Sequence, residues 1–192
     1  AASKHHGVWF SFYGKGSAYM DILNQLNEVQ PHHYALGMIV FGILFGFLWY
    51  TDHKTHLKIW KKDITDGELR THRMILYASY GLMFSLLMMA WYPWLALPLF
   101  IGCWVTRTLH ETMDEMFWHL PRCTEFETLI HLGMWVCIHA GTAITFIWGF
   151  FFQYRGFGDL PWYLHACFVV VFLSYSYIGH HEIFDYKDKA RT

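Results

Sequence analysis

The sequence predicts an all-α integral membrane bundle of about five transmembrane helices, and three observations carry that prediction. Of 192 residues, 55% are hydrophobic and 15% charged, where a soluble domain carries about 25% charged residues. Five apolar runs succeed one another between polar segments. Ten Trp and twelve Tyr suit two interfacial belts. Open strands are excluded, because lipid offers no partner for backbone polar groups outside a helix or closed barrel.

The elements follow in order. Residues 1–31 form a polar N-terminal segment with no secretory-signal pattern, in which Tyr19–Val29 fits a short amphipathic surface helix. The transmembrane domain takes 32–186 and a charged tail takes 187–192. The runs are Tyr34–Tyr50, Met74–Trp91, Leu95–Leu109, Leu129–Phe152 and Trp162–Ile178. A span needs ~20 residues, within a range of about 17–25. The third run is short and holds Pro98; without it the count is four. No low-complexity stretch and no clear repeat stands out.

Basic residues orient the bundle, since cytoplasmic loops collect Lys and Arg. Lys54, Lys58, Lys61, Lys62, Arg70 and Arg73 lie between the first two runs. With five spans, Arg107, Arg122, Lys187, Lys189 and Arg191 fall on the same side, leaving Lys4, Lys15 and Arg155 opposite. The C-terminus is therefore expected on the cytoplasmic face of an inner or energy-converting membrane. A net charge of -1 gives nucleic acid no basic surface to bind. The four cysteines show no CxxC spacing; Cys103, Cys137 and Cys167 sit in apolar runs and read as small buried hydrophobes.

The fourteen histidines are unevenly placed on this topology. His53, His56, His72, His110, His119, His131, His180 and His181 gather at the cytoplasmic end, with Glu111, Asp114, Glu115 and Glu182. His32, His33 and His165 gather at the other end, and His139 lies mid-helix. On a helix His110 and Asp114 sit one turn apart, as do Glu111 with Glu115 and Glu115 with His119. Successive turns thus show imidazole and carboxylate on one face, which is how helices build metal sites in di-iron bundles. Imidazole suits copper, iron and zinc, and carboxylates favour iron or manganese. His131 stands one turn inside an apolar run, where an ionisable group is costly and functional by default. Glu115, His119 and His131 are the first expected metal ligands. Asp114, His110 and His180 come next, as ligands or as groups that orient them. The competing reading is a polar helix end paired with Arg107 and Arg122.

The order of features resembles the C-type subunit of the particulate methane and ammonia monooxygenases. Gly46-Phe-Leu-Trp-Tyr-Thr-Asp-His-Lys54, a basic loop, and Gly67-Glu-Leu-Arg-Thr-His72 are similar to that family's cytoplasmic hairpin. Its copper ligands, Asp-x3-His and a second His about a dozen residues on, are similar to Glu115-x3-His119 and His131. Leu160-Pro161 and Gly179-His180 resemble its later helix. Glu stands for Asp, Leu95–Leu109 is extra, and the Asn and later His of the family's second site are missing. The resemblance implies a copper monooxygenase subunit; the carboxylates by themselves point equally to non-haem iron.

Two other resemblances compete. His53-x2-His56, His72 and His180-His181-Glu182 are similar to the histidine boxes of membrane desaturases and hydroxylases, without a full HxxHH box. The five spans and Arg70-Thr-His72-Arg73 resemble a quinol-linked cytochrome b anchor. There His165 and His180, ~22 Å apart at 1.5 Å per residue, would hold haem b. An accessory structural subunit is the non-enzymatic alternative. In each case so small a chain, with no soluble redox domain, is expected to sit in the bilayer with other membrane subunits. A quinol or redox protein would serve as electron donor.

Overall fold

A computed structural model describes residues 18–59, 65–119 and 123–189. Much of the basic loop, and the side chains of His56 and Glu182, lie outside the described residues. Among those described there is no strand. The helices are α1 (Ala18–Glu28), α2 (Pro31–Ile59), α3 (Asp66–Met88), α4 (Pro93–Asp114), α5 (Glu125–Phe146) and α6 (Trp162–Lys189). Both α4 and α5 run on into a single turn of π-helix, Glu115–His119 and Ile147–Phe151 respectively. The short helix expected over Tyr19–Val29 is α1, and each of the five apolar runs falls on its own helix, the second overrunning the end of α3 at Met88 by a turn.

Helix starts are written locally. Thr65 caps α3, its hydroxyl accepting from the Glu68 N–H at 3.2 Å. Thr124 and Glu127 form a reciprocal capping box on α5. Such a box satisfies two of the four N–H groups that a helix start leaves without partners. Pro93 stands in the first turn of α4, where its missing N–H costs nothing.

Among the described residues, three helical stretches are long and apolar enough to cross a membrane: Pro31–Thr55, Glu125–Phe151 and Trp162–His181. They carry large apolar side chains on their outer faces, among them Phe47, Leu129, Leu132, Val170 and Leu173. So much exposed hydrophobic surface fits contact with lipid or with other subunits. The stretches α3 and α4 fall short of that standard, because the first turns of α3 carry Asp66, Glu68, Arg70 and Arg73 and α4 ends on charged residues.

Packing divides the bundle into two sets. The antiparallel hairpin of α3 and α4 closes around Leu82, Leu86, Met89, Ala96 and Phe100. Helix α2 packs along α5 and leans on α6, around Tyr34, Ala35, Ile39, Trp148, Leu160 and Leu164. Small residues let the backbones approach, as they do between helices in membranes. A Cβ on Gly81 would meet Cys103 Sγ at 2.5 Å, and one on Gly42 would meet Val171 at 3.0 Å. The two sets join at both ends. At one end Trp94 stacks edge-on to Phe150, 5.0 Å between centroids, and the Tyr154 hydroxyl donates to the Leu86 carbonyl at 2.8 Å. The other join is polar.

Candidate metal centre

The polar join forms where α2 and α4 end and α3 and α5 begin. Its centre is the turn of π-helix Glu115–His119. A wider turn brings residues five apart onto one face, beside those four apart. His119 Nδ1 consequently lies 3.4 Å from Glu115 Oε2 and 3.6 Å from Asp114 Oδ2. Asp114 Oδ2 also meets His72 Nε2 of α3 at 3.0 Å. Glu115 Oε2 meets His131 Nδ1 of α5 at 2.8 Å, and His131 Nε2 meets Asp52 Oδ1 of α2 at 2.9 Å. The rings of His119 and His131 stand 4.4 Å apart, and those of His72 and His119 5.9 Å. Four helices thus send imidazoles and carboxylates to one point.

The point is secluded. Asp114 is 6% exposed and His119 5%. Hydrogen bonding to His119, then to His131, holds the Glu115 carboxyl down at about 2, against the opposing effect of partial burial. Asp114 Oδ1 is buried with no hydrogen-bond partner among the described residues. A buried carboxylate oxygen left so is costly, because it loses its hydration without replacement.

Among the described residues, two sets of three side chains, sharing His119, could each hold a metal ion: His119, Cys123 and His131, and Glu68, His72 and His119. Within each set one ligand atom per residue lies within 4.8 Å of the others. Small side-chain shifts bring such a set to the bond lengths of about 2.0–2.3 Å that nitrogen and sulfur ligands make with zinc. A metal taking one His131 nitrogen leaves the other on Asp52 or Glu115, the carboxylate–histidine–metal arrangement that fixes ring orientation.

Of the residues singled out from sequence, Glu115, His119, His131 and Asp114 meet here. His110 does not: its Nδ1 lies 2.8 Å from the Thr106 carbonyl of the preceding turn. Glu111 pairs with Arg107 at 2.8 and 3.0 Å, and Arg107 Nε donates to Ser79 at 3.0 Å. His180 lies exposed at the same end of the bundle, 5.9 Å between its ring and that of His181, and belongs to neither three-residue set. His165, at the far end of α6, places Nε2 3.1 Å from the Phe157 carbonyl.

Asp52, Glu68 and Cys123 escaped the sequence reading as site residues, and His72 entered it as one of the histidines gathered at the cytoplasmic end and through the resemblances, not among the expected metal ligands. A signal was there. Thr65-x2-Glu68-x3-His72 opens α3 and Thr124-x2-Glu127-x3-His131 opens α5. Both helices open on the same short pattern: a cap, a carboxylate in the first turn, and a histidine one turn later on the same face. The copies differ in use. Glu127 Oε2 accepts from Thr124 N at 2.8 Å and from the Thr124 hydroxyl at 3.0 Å, whereas Glu68 belongs to a metal-sized set.

Comparison of the chain with protein-family models, with curated protein sequences and with solved structures finds no match.

Proposed function

We propose that this chain is a metal-binding subunit of a membrane oxidoreductase of the oxygen-activating monooxygenase or hydroxylase type. The observation that carries the reading is the convergence of Asp114, Glu115, His119 and His131 at a secluded point between helices. Copper or non-haem iron is the proposed ion. Bound there, either metal would supply one-electron chemistry toward dioxygen. The protein's own part is to hold the ligands and keep bulk water from the site. Asp52 and Glu115 orient His131, Asp114 orients His72 and His119, and the apolar helix walls admit a small neutral or hydrophobic substrate. Electrons are taken to come from a quinol or redox protein through neighbouring subunits.

The same proposal places all five long helices across the bilayer with the site at the cytoplasmic end. What supports this is the length of the α3–α4 hairpin. Its turn touches the far end of α5 through Trp94 and Phe150, while its other end reaches the histidine cluster. The hairpin therefore runs alongside a helix that is itself long enough to span.

A second reading has its own observation. His131 faces carboxylates from α2 and α4 with both ring nitrogens, a clasp that would join three helices without any metal. An optical spectrum with metal analysis of the protein purified in its native complex separates these readings. Copper or non-haem iron near stoichiometry, lost in His119→Ala, is the expected result. A Soret band would favour a haem b anchor, and full metal content in His119→Ala would sink the assignment. A metal-free, colourless protein would leave the clasp of an accessory subunit.

A further inference from the structure

We infer that the centre holds two transition-metal ions side by side, one beneath each copy of the Thr-x2-Glu-x3-His motif. The inference rests on the metal-binding reading above and adds to it a second position and a thiolate ligand. The first position takes His119, Cys123 and His131; the second takes Glu68 and His72 with Asp114, or with His119 where that ring gives up its N–H proton and bridges through its two nitrogens as an imidazolate. Each pairs a histidine from the second turn of α3 or α5 with the shared π-turn at the end of α4. The motif in α5 supplies His131 and the one in α3 supplies His72, so two helix starts each bring a histidine to His119, at ring separations of 4.4 and 5.9 Å.

Asp114 lies on the seam between the positions. One oxygen is engaged by both sides, 3.0 Å from His72 Nε2 and 3.6 Å from His119 Nδ1. The other, Oδ1, is buried with no hydrogen-bond partner among the described residues. A 6% exposed carboxylate with one oxygen engaged and one unsatisfied is what a bridging ligand supplies to a pair of cations. Charge is compatible with bound cations: Asp52, Glu68, Asp114 and Glu115 all lie at this end, three of them buried, with His72, His119 and His131 among them. Buried carboxylates need compensating charge.

The donor sets differ in kind. Two imidazoles and a thiolate make the trigonal set preferred by copper and tolerated by zinc. Glu68 and His72, with His119 or Asp114, make a harder nitrogen–oxygen set that suits iron, manganese or zinc. The positions are therefore predicted to be chemically distinguishable.

The test uses the full chain in its native complex, stripped with a chelator and titrated with cobalt(II) as probe. Two cobalt ions per chain are expected, with a thiolate-to-cobalt charge-transfer band. Cys123→Ser should remove that band and one ion; His72→Gln should remove one ion and keep the band. One ion per chain in the wild type overturns the second position while leaving a metal site standing. Two ions with no thiolate band, or a band that survives Cys123→Ser, overturns Cys123 as ligand. No bound cobalt overturns the metal-binding reading itself. The wild-type stoichiometry decides the two-ion question even if a variant fails to fold.

Discussion

His131 faces a carboxylate with each of its ring nitrogens, one from α2 and one from the end of α4. It stands 9% exposed at the side chain between Asp52 and Glu115, so removing it leaves two carboxylates facing each other in a secluded space. Breaking a buried pair from one side costs about 3–5 kcal/mol. His131→Ala is expected to lose about 3 kcal/mol in denaturant unfolding of the metal-stripped protein in detergent. A loss below about 1 kcal/mol would show the contacts to be no stronger than exposed ion pairs. Legibility at this scale follows sequence distance. Glu115 and His119 were readable because they lie four apart on one helix. Asp52 was not, because its partner is on another helix, 79 positions away. Cys123 sits outside any apolar run, at the edge of a helix start, and only the fold shows that it approaches His119 and His131. His110 has the right spacing to Asp114, while its Nδ1 lies against its own helix backbone.

At the scale of elements, the apolar runs gave the helices almost directly, since charge-free stretches in a chain this hydrophobic have few other forms. The departures from regular helix were not legible. Regular geometry places only Glu115 one turn below His119; the π-turn adds Asp114. Deleting one residue of that turn would restore the α register and rotate everything after it by about 100°. Phe117 is the position to delete, because its side chain is exposed and little packing is lost. The expected outcome is unchanged helix content by circular dichroism with loss of bound metal. Retained metal would show that the π-turn is dispensable. The bend after α5 makes a second element-scale case. Gln153 and Tyr154 both take positive φ, 49° and 53°, a conformation uncommon outside glycine. The Tyr154 phenol is held there by its bond to the Leu86 carbonyl, and burial raises its pKa above the ordinary 10. A raised folded-state value favours the protonated phenol. Its contribution is therefore complete below pH 10 and is lost as pH climbs from there toward the folded value. Alkaline unfolding of the wild type should steepen above pH 10, and Tyr154→Phe should flatten that part of the profile. Identical profiles would show that Tyr154 does not set it.

At the scale of the whole molecule, the open matter is whether the α3–α4 hairpin crosses the membrane with its neighbours. Composition favoured five crossings through the distribution of Lys and Arg, yet only α2, α5 and α6 are apolar enough to span by themselves. The difference has a physical origin. Arg107 is buried within the bundle and satisfied by Glu111 and Ser79, so a charge that lowers the hydropathy of α4 need not face lipid. Most topological reporters cannot distinguish the two arrangements. Whether or not the hairpin crosses, α2 ends and α5 begins on the same side, and the turn before α6 lies on the other. The α3–α4 turn alone changes sides. A reporter inserted between Ala90 and Trp91 should read the face opposite the histidine cluster, alongside one inserted after Gly158. Should it instead read the same face as a reporter placed after Lys54, the hairpin would fold back without crossing. The contacts of Trp94 with Phe150 and of Tyr154 with Leu86 would then need the end of α5 to leave the bilayer as well. Those contacts are the reason a full crossing is the expected result of the insertion experiment.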